Sequence, residues 1–179
     1  MDAEDPAYRQ GVVEGMERDR ATFRRLVSEA TPSMLRRPSD GTRWDNRELL
    51  FHMFLGYQVV RTLLPLVRLV SHLPGGVGRG FARLLDAGTR PFDVVNFWGS
   101  RLGGRVLSPQ RVARRLDHAL DALERSLRAE TVDDLARAMP FPVRWDPYFE
   151  PVMSVADVYA YPARHFEHHR RQLTLDARA

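Results

Sequence analysis

His165 and His169 lie four residues apart in the run Ala163-Arg164-His165-Phe166-Glu167-His168-His169, and the apolar residues around them decide which way they face. At about 100° per residue, positions four apart sit one turn up the same side of a helix. Val155, Val158, Pro162, Phe166 and Leu173 recur in helical phase, and the two histidines fall inside their stripe. A helix buries its apolar stripe, so a chain with this pattern must turn two titratable rings toward its own interior. Burying an unpartnered polar group costs about 1–3 kcal/mol, so the fold has to bring something to meet them. Two imidazoles one turn apart can also aim at a single metal ion, as in H-E-x-x-H helices.

A third histidine has the same property. Asp45 followed by Glu48 is a capping-box pattern ahead of the apolar run Leu49-Leu50-Phe51-His52-Met53. On the helix so started, His52 lines up with Val59, Leu63, Val67 and Val70, at core-stripe spacings. His72 stands at a helix end, His118 lies among Arg115, Asp117 and Asp121, and His168 is turned about 100° away from His169. The residues leave two readings open: a three-histidine metal site, or core histidines satisfied by hydrogen bonds.

The 179 residues suit one domain, 1–179, with enough length for a core. There is no cysteine, which excludes disulfides, thiolate metal sites and a cysteine nucleophile, so any thiol chemistry must use a thiol brought by the substrate. All 27 basic residues are arginine, a bias that fits a GC-rich genome, and the net charge is only +4. The arginines alternate with acids, as in Glu17-Arg18-Asp19-Arg20, and form no basic stripe with aromatics, so no nucleic-acid partner is expected. Met1 to Asp5 is acidic without an apolar signal region. The most apolar stretch, Leu49 to Leu73, is interrupted by His52, Arg61, Pro65 and Arg68. The expectation is a cytoplasmic protein with no membrane partner.

Stripes and caps predict four long helices, at 5–30, 46–72, 108–130 and 154–173. Pro65 and Pro162 fall inside two of them and predict bends. Pro74-Gly75-Gly76-Val77-Gly78-Arg79-Gly80 reads as a flexible loop that matches no dinucleotide-binding pattern. Short helices are expected at 81–86 and 92–98, and an ordered aromatic loop, with no strand pattern, from Thr131 to Met153. The fold class is therefore all-α, a four-helix bundle with long middle connections. Metal sites in bundles are built from facing helices. If the second and fourth helices are neighbours, His52 meets His165 and His169, with 73–107 and the loop around Trp145 covering that end.

Trp44-Asp45-Asn46-Arg47-Glu48-Leu49-Leu50-Phe51-His52 and His165-Phe166-Glu167-His168-His169-Arg170-Arg171-Gln172-Leu173 together resemble the DinB-like superfamily of four-helix-bundle metalloproteins, which includes YfiT-type hydrolases and thiol S-transferases. The resemblance implies three metal ligands at His52, His165 and His169, holding Zn²⁺, Ni²⁺ or Fe²⁺. Its mycothiol-dependent maleylpyruvate isomerase branch implies a low-molecular-weight thiol cofactor and a small-molecule substrate; a homodimer is a separate expectation. Three protein ligands leave positions open, the pattern of catalytic zinc, and fit thiol transfer, isomerisation or hydrolysis; the alternative is a non-catalytic metal- or ligand-binding stress-response module. Glu48 and Tyr161 each lie one turn before a histidine, Glu48 as a partner of the ring, a general base or a cap, and Tyr161 as a hydroxyl or a packed ring. Asp93, Asn96 and Arg101 are candidates for a pocket roof or for local caps and surface pairs.

Overall fold

The computed structural model describes residues 6–175. Four long helices carry the architecture: α1 (Pro6–Glu29), α3 (Asn46–Ser71), α6 (Pro109–Ala129) and α8 (Val155–Arg170). α3 and α1 each touch both α6 and α8, which closes a four-membered bundle. The expected start of the first helix at Asp5 lies outside the described residues. The short α2 (Pro32–Leu35) and α7 (Val132–Ala136) sit in the connections.

The caps form as the sequence implies. Asp45 accepts from the Glu48 backbone N–H while the Glu48 carboxylate accepts from that of Asp45, and Ser154 and Asp157 do the same for α8. α3 and α8 continue through Pro65 and Pro162 without interruption. α8 ends at Arg170, three residues before the expected Leu173, which leaves His169 in its last turn.

The connections differ from expectation. The glycine-rich run is not a loop but the first turns of α4 (Gly75–Ala87), and the next helix, α5, spans Thr89–Val106 rather than 92–98. Close packing outweighs the low helix propensity of glycine at both places. A side chain on Gly78 would meet the Pro140 ring at 3.1 Å, and one on Gly104 would reach the Glu48 Cα at 2.8 Å, so each glycine lets its helix approach a neighbour. The aromatic loop also contains two short strands, β1 (Ala138–Pro140) and β2 (Val152–Ser154), paired antiparallel with Met139 opposite Met153. Both methionines are buried.

α3 alone among the described helices has the length and apolarity of a membrane span. Here Leu50, Met53, Tyr57, Val60 and Leu64 are core, while Leu55, Val59, Leu63 and Leu66 line a cavity. Its N-terminus is tied to the end of the chain by Asn46, which is fully buried. The Asn46 amide donates to the Met34 carbonyl and to Thr174 Oγ1, both at 2.9 Å, and its oxygen accepts from the Thr174 N–H at 3.0 Å.

Asn46→Ala takes a partner from the half-buried Thr174 N–H and from the Met34 carbonyl, which keeps the Arg37 N–H, and an unmet buried group costs about 1–3 kcal/mol. The expected loss is about 1–2 kcal/mol in urea unfolding. A loss below about 0.5 kcal/mol would show that this clamp does not hold the two ends.

Candidate metal centre

His52 on α3 and His165 on α8 are buried, at 6% and 5% exposure, and His169 is half-buried one turn beyond His165. His52 Nε2 lies 3.1 Å from His169 Nε2 and 3.2 Å from His165 Nε2. One ligand nitrogen from each ring falls within 4.8 Å of the others. His168 is turned out of the cluster, with its Nδ1 at 3.1 Å from the Tyr148 hydroxyl. His72 caps the C-terminal end of α3.

The far nitrogens are held by other elements. His169 Nδ1 is 2.7 Å from Gln172 Oε1, and His52 Nδ1 is 3.1 Å from Ser100 Oγ on α5. With Gln172 oriented oxygen-first, as assigned, His169 Nδ1 must carry the proton and its Nε2 presents a lone pair. Trp44 stacks on the His52 ring at 4.4 Å between centroids, with its indole N–H directed at the Phe97 carbonyl at 3.4 Å. His165 Nδ1 is buried with no hydrogen-bond partner. That ring lies flat against α3 at Gly56, where a Cβ would stand 2.5 Å from Nδ1.

Burial lowers all three imidazoles below their usual range: His52 to about 3, with repulsion from His169 adding to it, His169 to about 4, and His165 well below the ordinary value. All three are neutral at pH 7, the state a metal ligand requires. A four-coordinate zinc with bonds of about 2.0–2.1 Å spaces its nitrogens about 3.3 Å apart, close to the two short separations here. A cation at the convergence point would let every Nε2 offer its lone pair while Ser100 and Gln172 accept from the Nδ1 protons. The donor set therefore fits a divalent metal.

Other expected participants divide. Glu48 is buried, caps α3 and pairs with Arg105 at 2.9 Å and Arg101 at 3.6 Å, so its role is the cap and an ion pair. Asn96 lines the cavity that opens beside the histidines, a space of about 340 Å³, whereas Asp93 lines an adjoining cleft. Tyr161 lines the cavity too and donates to Asp146 Oδ2 at 2.8 Å. The segment 73–107, through Phe81, Leu85 and Phe92, and the loop around Trp145 wall this end, as expected. Ser100, Gly56 and Asp146 are the site residues that sequence reasoning did not single out, and Gln172 stood there only as part of the resembling motif.

Two predictions follow from the neutral, tightly packed rings. Gly56→Ala raises helix propensity by about 1 kcal/mol, yet it is expected to destabilise the protein and to weaken zinc binding at least tenfold, because the His165 ring must move. Unchanged zinc affinity by competition titration would refute the contact. In metal-free protein, His52 titrates near 3 and His169 near 4 when folded, His165 is also held well below its usual range, and all three return to about 6.5 when unfolded. Between about pH 6.5 and 4 the unfolded chain binds more protons, so stability falls as pH falls, by up to about 1.4 kcal/mol per pH unit per histidine. Asp19, raised by burial to about 7, works in the opposite direction over much of this window, as does Asp146, also raised by burial. Three histidines outweigh two acids, and urea midpoints that rise on acidification from pH 6.5 to 4.5 would contradict the neutral cluster.

A family model of the DinB superfamily matches residues 16–173. The match takes in both histidine-bearing helices and every residue described around the three rings. No curated protein and no solved structure matches the chain significantly. With nearly the whole chain covered by that model, and with the helical bundle and the facing histidines in place, the chain belongs to the DinB superfamily.

Proposed function

We propose that this protein is a metal-dependent enzyme of small-molecule chemistry, with His52, His165 and His169 as the ligands of one divalent ion, and that its reaction is transfer of a low-molecular-weight thiol such as mycothiol, or the related isomerisation or hydrolysis. The observation that carries the reading is the convergence of three neutral imidazole nitrogens on a point that opens onto a cavity. A structural site would be closed by a fourth side chain, and catalytic sites keep a position open. Zinc, nickel and iron all suit imidazole ligands.

When bound, the metal supplies Lewis acidity, lowering the pKa of a thiol or water that reaches the open position. The protein's own residues do the rest. Ser100 and Gln172 hold the Nδ1 protons and so keep the Nε2 lone pairs directed inward. Trp44 fixes the plane of His52. Trp44, Asn96 and His169 line both the cavity and an open cleft whose other walls include Thr42, Arg43, Asp93 and Gln172. A polar thiol suits that cleft, with its sulfur directed at the histidines. Asp146, raised by burial and paired with Tyr161, is the carboxylate among the described residues of the cavity wall and the candidate proton acceptor there.

The test is metal content followed by thiol consumption. One ion per chain is expected in the wild type and in His168→Ala, and none in His52→Ala, His165→Ala or His169→Ala. Loss of metal from His168→Ala with retention in His169→Ala would overturn the ligand set. Metal-loaded protein that consumes no thiol with any of a panel of electrophiles, and hydrolyses none of their esters, would favour the non-catalytic binding module.

A further inference from the structure

The cavity beside the histidines and the rest of the molecule differ sharply in charge. The chain has 27 arginines, yet none of the described ones lines the cavity. Apart from the three histidines, its only ionisable wall residues among those described are Asp146 and Tyr161. Both Asp146 oxygens are already engaged: Oδ2 accepts from the Tyr161 hydroxyl and Oδ1 from the Tyr148 backbone N–H, each at 2.8 Å. Along this wall a carboxylate or phosphate would meet no arginine and would face an acid, so its only countercharge would be a metal on the histidines. Asn96 adds an amide at the histidine end. The rest of the wall is aliphatic or aromatic.

The aromatic wall is fixed before any ligand arrives. Phe92 stacks on Trp145 at 4.0 Å with the planes 12° apart. The Trp145 indole N–H is used on the Leu85 carbonyl at 2.9 Å, so it offers no hydrogen bond to a ligand. Phe149 packs against Phe141 at 5.2 Å and against Tyr161 at 4.6 Å. Rings that brace one another keep the space open, and a space of about 340 Å³ is at the small end of ligand sites. Leu63 and Leu66, each 38% exposed, are the cavity residues nearest solvent, so the entrance is apolar as well.

We propose that this cavity takes an uncharged, predominantly aromatic or aliphatic molecule of modest size, with its one polar head at the histidine end. The proposal rests on the reading of the histidine cluster as the reacting end. Away from the histidine end, no described arginine stands on the wall to hold a second, anionic group. In a two-substrate reaction the apolar molecule is the electrophile, and the polar partner comes through the neighbouring cleft.

The experiment uses two fluorescent probes with the same ring system, neutral N-phenyl-1-naphthylamine and its sulfonated analogue 8-anilinonaphthalene-1-sulfonate, on full-length protein with and without zinc. Expected are one site for the neutral probe, at least tenfold tighter than for the sulfonate, and its loss in Val59→Trp, which fills the cavity. Leu63→Arg changes a half-exposed rim residue and so spares the fold; it is expected to narrow the preference between the probes at least fivefold. Equal or tighter competing binding of the sulfonate in the wild type, or undiminished neutral binding in Val59→Trp, would overturn the proposal. Zinc content and thiol consumption of the same samples keep the two readings apart. Neutral binding that fails while histidine-dependent zinc persists sinks only the substrate class; neutral binding that persists while zinc never binds supports the apolar ligand and sinks the metal centre.

Discussion

The arrangement depends on how closely α8 can approach α3. The His165 ring rests against the α3 backbone, and only a residue without a side chain leaves room for it at position 56. That contact explains both features of His165: its Nδ1 is sealed against backbone with no partner, and its Nε2 has one direction left, toward His52. The Asn46 clamp, which joins the start of α3 to Thr174, then brings the last turn of α8 over the first turns of α3. His169 reaches the same point as a consequence. Proteins use glycine where backbone must be approached closely, at a cost in helix propensity, and here the return is the position of a ring nitrogen.

Electrostatics follows from that packing. Three rings brought to contact in a dry interior cannot all be charged, so burial and mutual repulsion hold them neutral. Neutral imidazoles in a row still need their lone pairs matched, and a proton or a cation has to stand between facing nitrogens. The arginines take no part in this. Several lie in surface pairs such as Arg170 with Glu167, which contribute little to stability individually, and others pair with buried acids away from the cavity, as Arg105 does with Glu48. A strongly basic composition and an almost uncharged cavity therefore coexist without conflict.

The ligand candidates and the four long helices were legible in the sequence because both rest on periodicity. An imidazole inside an apolar stripe is visible wherever the helix phase is, and the caps at Asp45 and Ser154 set that phase. The partners of those imidazoles were not legible. Ser100 was hidden because α5 reads as ending near Trp98, before the glycines that let it run on against α3. Gly56 in a helical pattern registers only as a weak position, since its value is what it does not touch. Asp146 reaches Tyr161 across the chain reversal between β1 and β2, and three-residue strands carry too little alternation to announce themselves. The stripe of α3 was placed correctly but only half interpreted: Val59 and Leu63 face a cavity, where core was expected.

The helix that the sequence undercounted is the one that joins these parts. Phe92, Asn96, Ser100 and Gly104 stand four apart along α5, so they share one face over three turns. Gly104 sets the closest approach, against the Glu48 backbone in the first turn of α3. One turn earlier Ser100 meets His52 Nδ1, another turn earlier Asn96 borders both the cavity and the cleft, and Phe92 closes the row against Trp145. Because a helix is rigid over this length, the contact at Gly104 fixes all three of the other positions together. The tautomer of His52, the border between the two ligand spaces and the aromatic wall thus share a single mechanical reference. A shift of α5 along α3 would move the hydroxyl that meets His52 Nδ1 and the cavity wall at once, which couples the shape of the ligand space to the orientation of the imidazole that faces it.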